Sequence, residues 1–327
     1  MSGSPADARS SSAARQSPLR RPPALREGDA VAMISPSSHQ GDSAAHMPKA
    51  AAKTLAAWGL QVINAGEPEA RHLYLAGSDS HRAAQFQRYY CDPEIKGLFI
   101  TRGGYGAARI LPLLQREKIA AAAPKAVVGF SDATALFAYL HAVAGISVIH
   151  GPCLAAPALA RTPPQQTELD ALRQALFRPQ DMPAFDLQFL PQAHRPAEAV
   201  SGPLLGGSLA VLVTTLGTPW EIDTRGALLF LEDVNEAPYR IDRMLTHLRT
   251  AGKFEALGGI VLGQFTDCDE DPPGLLREVW LDLFAEAPFP VVTGLPAGHG
   301  APNLALPLGQ HVRLAPAGDG AARLSFI

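Results

Sequence analysis

Along most of the chain, short uninterrupted apolar runs alternate with stretches whose apolar residues recur every three or four positions. A continuous run of four or five apolar residues bounded by turn residues reads as a strand buried on both faces. A 3.6-residue recurrence reads as a helix with one apolar face. By these rules strands are predicted at 30–34, 60–63, 97–100, 126–129 and 147–149. Helices are predicted at 49–58, at 80–90, through Ile110 and Leu114, and from Ala133, where Leu136, Phe137 and Leu140 share one face. This alternation predicts an α/β fold with a parallel sheet covered on both sides.

The texture changes between 155 and 196. Pro157, Pro163, Pro164, Pro179, Pro183, Pro191 and Pro196 crowd this stretch, and only 168–176 carries a helical pattern. Beyond it, Leu204-Leu205-Gly206-Gly207-Ser208-Leu209 opens a second αβ series, with an apolar helix reaching Leu216. Strands follow at 227–231, 259–263 and 290–292. Helix faces are marked by Ile241, Met244, Leu245 and Leu248, and by Leu276, Val279, Trp280 and Leu283. The end of the chain, 311–314 and 322–326, predicts a hairpin about Ala317-Gly318-Asp319-Gly320. The expected organisation is therefore a disordered tail (1–23), a first domain (24–155), a Pro-rich connector (156–196) and a second domain (197–327). The tail is rich in Ser, Ala, Arg and Pro, and it lacks the apolar stretch of a secretory signal.

A length of 327 residues suits two such domains. The 28 basic and 31 acidic residues leave a net charge of −3, so neither nucleic acid nor an anionic membrane is an expected partner. Cys91, Cys153 and Cys268 lack paired spacing, which predicts free thiols in a reducing, cytoplasmic setting. No metal-ligand spacing occurs, and no metal or cofactor is expected. No apolar run approaches the roughly 20 residues of a membrane span.

The candidate chemistry starts at Val127-Val128-Gly129-Phe130-Ser131-Asp132-Ala133-Thr134. A Gly-x-Ser corner between a buried strand and a helix lifts a hydroxyl to the carboxyl end of the strand, beside free N–H groups. A serine hydroxyl needs a base, and histidine has the suitable pKa. His72, His81 and His141 lie in predicted helices or loops, and His150 reads as a structural hydrogen-bonder at a strand end. His299 stands apart in a glycine-flanked loop directly after a strand. Glu232 ends the apolar run 227–231, where a half-buried carboxylate needs a donor; His299 is the candidate partner, with Asp233 and Glu236 the alternative acids. Asp132 is expected to cap its own helix. The Gly103-Gly104 turn sits at a neighbouring strand end, where it can offer an N–H to a developing oxyanion or serve only as a tight turn. It fits neither the dinucleotide nor the P-loop pattern. Arg240 and Arg243 read equally as a solvated helix face or as a clamp for a substrate carboxylate.

Five stretches in order resemble the LD-carboxypeptidase family, serine peptidases of the murein tetrapeptide carboxypeptidase and microcin C immunity type. They are Gly28-Asp29 to Ser38, Thr101-Arg102-Gly103-Gly104-Tyr105-Gly106, Gly129 to Leu136, Leu231-Glu232-Asp233 through Leu245, and Gly298-His299-Gly300 through Gly309. The resemblance implies a flavodoxin-like N-terminal parallel-sheet domain, similar to class I glutamine amidotransferases, and a smaller C-terminal mixed α/β domain. It implies Ser131 as nucleophile, His299 as general base and acid, and Glu232 as the orienting carboxylate. The backbone N–H groups of Asp132 and of Gly103 or Gly104 would form the oxyanion hole, and Arg240, Arg243, Tyr105 and Ser208 would contact substrate. Ser208 stands where the family often carries Asn in Gly-Gly-Asn-Leu. The implied reaction cuts an L,D peptide bond through an acyl-enzyme, releasing terminal D-alanine from cytoplasmic murein tetrapeptide, without metal and in a homodimer.

Three other readings compete. A microcin C immunity-type member would hydrolyse peptidyl or aminoacyl-adenylate analogues, with an aromatic such as Trp220 stacking on adenine. A ligand-binding relative would keep the shell without catalysis. An unrelated α/β-hydrolase shares the order Ser, acid, His but expects Gly where this chain has Ala133.

Overall fold

The structure is a computed structural model that describes residues 19–41, 47–64, 71–153, 165–269 and 272–327. The expected tail up to residue 18, and residues 156–164 of the expected connector, lie outside the described residues. The last residues of the expected tail are engaged: Arg20 bridges Ile146, and its carbonyl accepts from the Ser147 amide at 2.9 Å.

The first half alternates as the pattern requires. In chain order it runs β1 (Ala30–Ile34), α1 (Met47–Ala57), β2 (Gln61–Asn64), α2 (Asp79–Cys91), β3 (Ile95–Ile100), α3 (Ala107–Ile110), α4 (Arg116–Ala121), β4 (Ala126–Gly129), α5 (Ala133–Ala144) and β5 (Val148–His150). The five strands pair in parallel, with Ala32 opposite both Ile63 and Leu98, Leu98 opposite Val127, and Val128 opposite Ile149. β4 is buried along its whole length, which is why its sequence is continuously apolar rather than alternating. The helix expected to run through Ile110 and Leu114 is interrupted. α3 gives way to a 3-10 turn at Leu111–Leu113, because Pro112 has no N–H to continue an α-helix.

The second half runs α6 (Gln166–Phe177), β6 (Phe185–Phe189), β7 (Val200–Ser208), α7 (Leu209–Val213), β8 (Leu228–Val234), α8 (Pro238–Thr250), β9 (Gly259–Thr266), α9 (Leu275–Phe284), β10 (Val291–Thr293), β11 (Leu306–Leu308), β12 (His311–Pro316) and β13 (Ala321–Phe326). Its sheet closes into a barrel in the order β10-β6-β13-β12-β7-β8-β9. The pairs β7–β8, β8–β9 and β9–β10 are parallel, and the others are antiparallel. The expected terminal hairpin is β12–β13.

Two strands depart from the sequence reading. β6 lies inside the expected connector, where Phe185, Leu187 and Phe189 face the core while Asp186 and Gln188 face outward. β11 leaves the barrel and pairs antiparallel with β5, Leu306 opposite His150, as the edge strand of the first sheet. An edge position accommodates Pro307 because one side of the strand needs no donor. Among the described residues no helix is long and apolar enough to cross a membrane.

The two sheets meet where β7 ends against the start of α5. The Ser208 amide donates to Thr134 Oγ1 at 3.1 Å. Gly207, at φ +137°, makes this approach possible, since a Cβ there would lie 2.5 Å from the same Thr134 oxygen. Its neighbour Gly206 (φ +132°) faces the Phe230 carbonyl oxygen, which leaves no room for any side chain. The expected outcome for Gly207→Ala is a loss of about 3 kcal/mol in urea unfolding, the combined order of backbone strain and overpacking. Unfolding at the wild-type midpoint would show that this seam is not tight.

Candidate active site

β4 turns into α5 within three residues, and the corner falls on Ser131. Its φ is +63°, a left-handed value that a residue with a side chain adopts only at a cost. The turn needs Gly129 immediately before it, because a Cβ there would lie 2.9 Å from Ile100 Cδ1 and 3.1 Å from Ala133 Cβ. Gly103, just past the end of β3, presses on the corner from the neighbouring strand. A Cβ on Gly103 would stand 2.8 Å from Ser131 Cβ, 3.0 Å from its Oγ and 3.5 Å from the Asp132 amide nitrogen. Gly104 follows at φ +102°, packed on Ser38, and the Tyr105 amide donates to Ser38 Oγ at 3.2 Å. The hydroxyl therefore sits at the carboxyl ends of adjacent parallel strands, among closely packed backbone.

Asp132 does not cap its own helix as expected, because its backbone is already helical and its side chain makes no cap bond. Its buried carboxylate turns the other way. Oδ2 accepts from Ser37 Oγ at 2.6 Å and from the Ala107 amide at 2.8 Å, so it ties the loop after β1 and the start of α3 to the Ser131 corner. Burial pushes its pKa up, against the opposing pull of these donors.

Glu232 comes from β8 and is 0% exposed. Its Oε2 lies 2.7 Å from His299 Nδ1, so the carboxylate and imidazole singled out from sequence form a buried hydrogen-bonded pair. Burial alone would raise the carboxyl pKa, but the adjoining imidazoles hold it well below the usual carboxylate range. Burial likewise lowers His299, and the Glu232 charge more than reverses this, leaving its pKa raised. Both directions describe a charge-assisted bond that favours the ionised pair.

The loop carrying His299 is shaped by its neighbours. Gly298 (φ +132°) lets the backbone pass Glu232, since a Cβ would lie 2.9 Å from Oε2. Its amide donates to Asn303 Oδ1 at 3.1 Å, and the Asn303 amide donates to Glu168 Oε1 at 2.6 Å. Glu168 belongs to α6, so the helix of the expected connector braces the histidine loop.

The imidazole lies against Phe130, the residue before Ser131, with ring centroids 4.9 Å apart. This contact brings the imidazole to the Ser131 corner. Among the described residues the Glu232–His299 bond is formed and no hydrogen bond joins Ser131 Oγ to the His299 ring.

His150, read from sequence as a structural hydrogen-bonder, is also 0% exposed, with Nε2 3.8 Å from Glu232 Oε1. Neither of its ring nitrogens nor that carboxylate oxygen has a hydrogen-bond partner among the described residues. A buried group left in that condition costs about 1–3 kcal/mol. The signal that marks His150 is the one that marks Ser131, a position at the carboxyl end of a parallel strand.

The alternative acids are otherwise engaged. Asp233 accepts from the Ala210 and Val234 amides at 2.7 and 2.8 Å, which anchors the start of α7; burial pushes it up to about 6. Glu236 faces Arg240 across 3.6 Å. Arg240 and Arg243 are exposed on α8, with guanidinium centres 5.9 and 5.4 Å from the Tyr239 ring. Ser208 Oγ accepts from the Val211 amide at 3.5 Å and caps α7. Tyr105 is half exposed, its ring 6.1 Å from that of Tyr74. Trp220 packs on Tyr139 of α5, with centroids 5.8 Å apart. Among the described residues no group of three or more His, Cys, Asp or Glu side chains is placed to hold a metal ion.

Residues 31–151 match the family model of the LD-carboxypeptidase N-terminal domain, and residues 201–314 match that of the C-terminal domain. The chain is 32% identical over 284 residues to a murein tetrapeptide carboxypeptidase of Pseudomonas aeruginosa, an alignment covering 86% of this chain and 91% of that one. It is 26% identical over 320 residues to the microcin C7 self-immunity protein MccF of Escherichia coli, covering 87% and 90%. The crystal structure of muramoyltetrapeptide carboxypeptidase from Oxalobacter formigenes superposes with a TM-score of 0.76 at 29% identity, covering 91% of this chain and 98% of that one. With both models matched in order across most of its length, the chain belongs to the LD-carboxypeptidase family of peptidases.

Proposed function

We propose that the protein is a serine-type carboxypeptidase that releases terminal D-alanine from murein tetrapeptide in the cytoplasm, as part of muropeptide recycling. The observation that carries this reading is the buried Glu232–His299 bond at 2.7 Å, with the imidazole laid on Phe130 beside the left-handed Ser131. In this mechanism Ser131 Oγ attacks the carbonyl of the L,D bond while His299 Nε2 takes its proton. Glu232 fixes the ring through Nδ1–H and stabilises the imidazolium. The developing oxyanion would be met by the Asp132 amide and by the Gly103 or Gly104 amide, backbone donors that carry no side-chain entropy cost. His299 then returns the proton to the departing amine of D-alanine. Water attacks the acyl-enzyme by the same route in reverse, and the tripeptide leaves. Tyr105 lies beside this corner and would contact substrate, as would Arg240 and Arg243 if α8 faces the bound peptide. Ser208 would contact substrate through its O–H, since its amide donates to Thr134 and its hydroxyl oxygen accepts in the α7 cap.

The murein reading is preferred to an adenylate-cleaving one because the chain is 32% identical to the murein tetrapeptide carboxypeptidase and 26% identical to the self-immunity protein MccF. Incubating one preparation with a murein tetrapeptide and with an aminoacyl sulfamoyl-adenylate decides the substrate. D-alanine release from the first alone is expected. Ser131→Ala should reduce that release by at least about 1000-fold with the fold unchanged by circular dichroism; full activity would remove Ser131 from the mechanism.

The same pair sets the pH dependence. Glu232 is held below its ordinary value of 4.5, so its contribution to stability is present above that value and is lost as pH falls through the depressed pKa. His299 is held above its ordinary 6.5, so its contribution is full below 6.5 and is lost as pH rises through the raised pKa. Catalysis needs the neutral imidazole, so kcat/KM is expected to rise with pH through a midpoint above 6.5. A midpoint below 6.5 would contradict the ion pair. Gly103→Ala, whose methyl would crowd Ser131 Cβ and Oγ, is expected to lower kcat about 100-fold and to cost about 1–3 kcal/mol in urea unfolding, because the corner must shift. Unchanged kcat would mean the hydroxyl works from another position.

A further inference from the structure

We propose that His150 is a positioning residue that clamps Glu232 from the side opposite His299, its Nε2–H donating to Oε1 while His299 holds Oε2. The inference rests on the reading of Glu232 as the orienting carboxylate, and it adds a member that the serine–acid–base relay does not contain. Four observations carry it. Glu232 Oε1 and both nitrogens of His150 are buried and without hydrogen-bond partners among the described residues, and Nε2 faces Oε1 across 3.8 Å. Two hydrogen bonds through a bridging water would set the end atoms roughly 4.5–5.5 Å apart, so the gap closes directly or not at all. The His150 backbone is fixed on both sides, opposite Gly129 of β4 and opposite Leu306 of β11. Its ring is held edge to face by Phe130 at 6.0 Å and by Phe230 at 5.0 Å, one beside the nucleophile and the other two residues before Glu232.

The consequence is mechanical. A carboxylate held at one oxygen can rotate about its side-chain bonds and carry the bonded imidazole with it. Donors on both oxygens fix the carboxylate plane and so the tilt of the His299 ring toward Ser131. The ionisable groups around this carboxylate are His299 from its loop, His150 from β5, and Asp233 on β8 itself, whose oxygens are bound by the Ala210 and Val234 amides.

Two variants separate donor from shape. His150→Phe keeps a ring between the two phenylalanines and removes the N–H; His150→Gln restores an N–H at similar reach. His150→Phe is expected to lower kcat by about 10-fold or more with KM within about twofold. Its acid limb should move up by about half a pH unit, because a carboxylate stripped of one donor holds the His299 proton more tightly. His150→Gln should recover most of the loss. In the wild-type protein without substrate, long-range nitrogen–proton NMR should find the proton of His150 on Nε2. The Nδ1–H tautomer would overturn the proposal even if no variant folds. Wild-type kinetics in His150→Phe, or equal impairment in both variants, would also overturn it. If Ser131→Ala keeps D-alanine release while the Nε2–H tautomer is found, the reading of Ser131 as nucleophile fails and the clamp stands.

Discussion

A fully buried carboxylate is the constraint around which this molecule is arranged. Glu232 sits on a barrel strand with no contact with water, where an unpaired charge would cost several kcal/mol or be protonated. Its charge is kept by imidazoles that arrive from outside the strand. His299 comes from a loop shaped by Gly298, and His150 stands at the end of a strand in the other sheet. Neither sheet alone surrounds Glu232, so its environment exists only when the two are docked. Docking and the electrostatics of the site are one event.

The docking itself rests on missing side chains. Gly206 and Gly207 let β7 pass close to Phe230 and to Thr134, and Thr134 stands three residues beyond Ser131 on the first turn of α5. The helix that follows Ser131 is thus the helix against which the barrel registers. Asp132 extends the same bracing in the opposite direction, binding Ser37 and Ala107. A corner residue at φ +63° needs this kind of support, because its backbone would relax if its neighbours could move.

Much of this was legible in the sequence, for physical reasons that differ from residue to residue. The parallel strands of the first sheet announce themselves as continuous apolar runs, because both of their faces are covered. Ser131 is readable because a Gly-x-Ser corner after such a run has few other uses. Glu232 and His299 are readable singly, as an acid ending a buried strand and a histidine in a glycine-flanked loop; their bond is a tertiary fact that no local pattern encodes. β6 was hidden by proline density around it although its alternation is clean. β11 was hidden because three residues with a central proline look like a turn. The direction of Asp132 was misjudged from a sound rule, that acids cap helices. Here the carboxylate has stronger donors across the strand ends. His150 read as structural because burial and neighbours are invisible from a strand end followed by Gly-Pro.

The path of the chain around His299 carries a further consequence. The loop leaves β10, a strand of the barrel, and is received by β11, which is sewn to the edge of the other sheet before β12 and β13 return to complete the barrel. Its two ends are therefore anchored on different bodies, and Asn303 and Glu168 pin its middle to α6. A relative displacement of the two sheets cannot leave this span unchanged. Any hinge or shear that widens the seam pulls the imidazole away from Phe130, which makes that ring contact a gauge of how closely the halves are aligned.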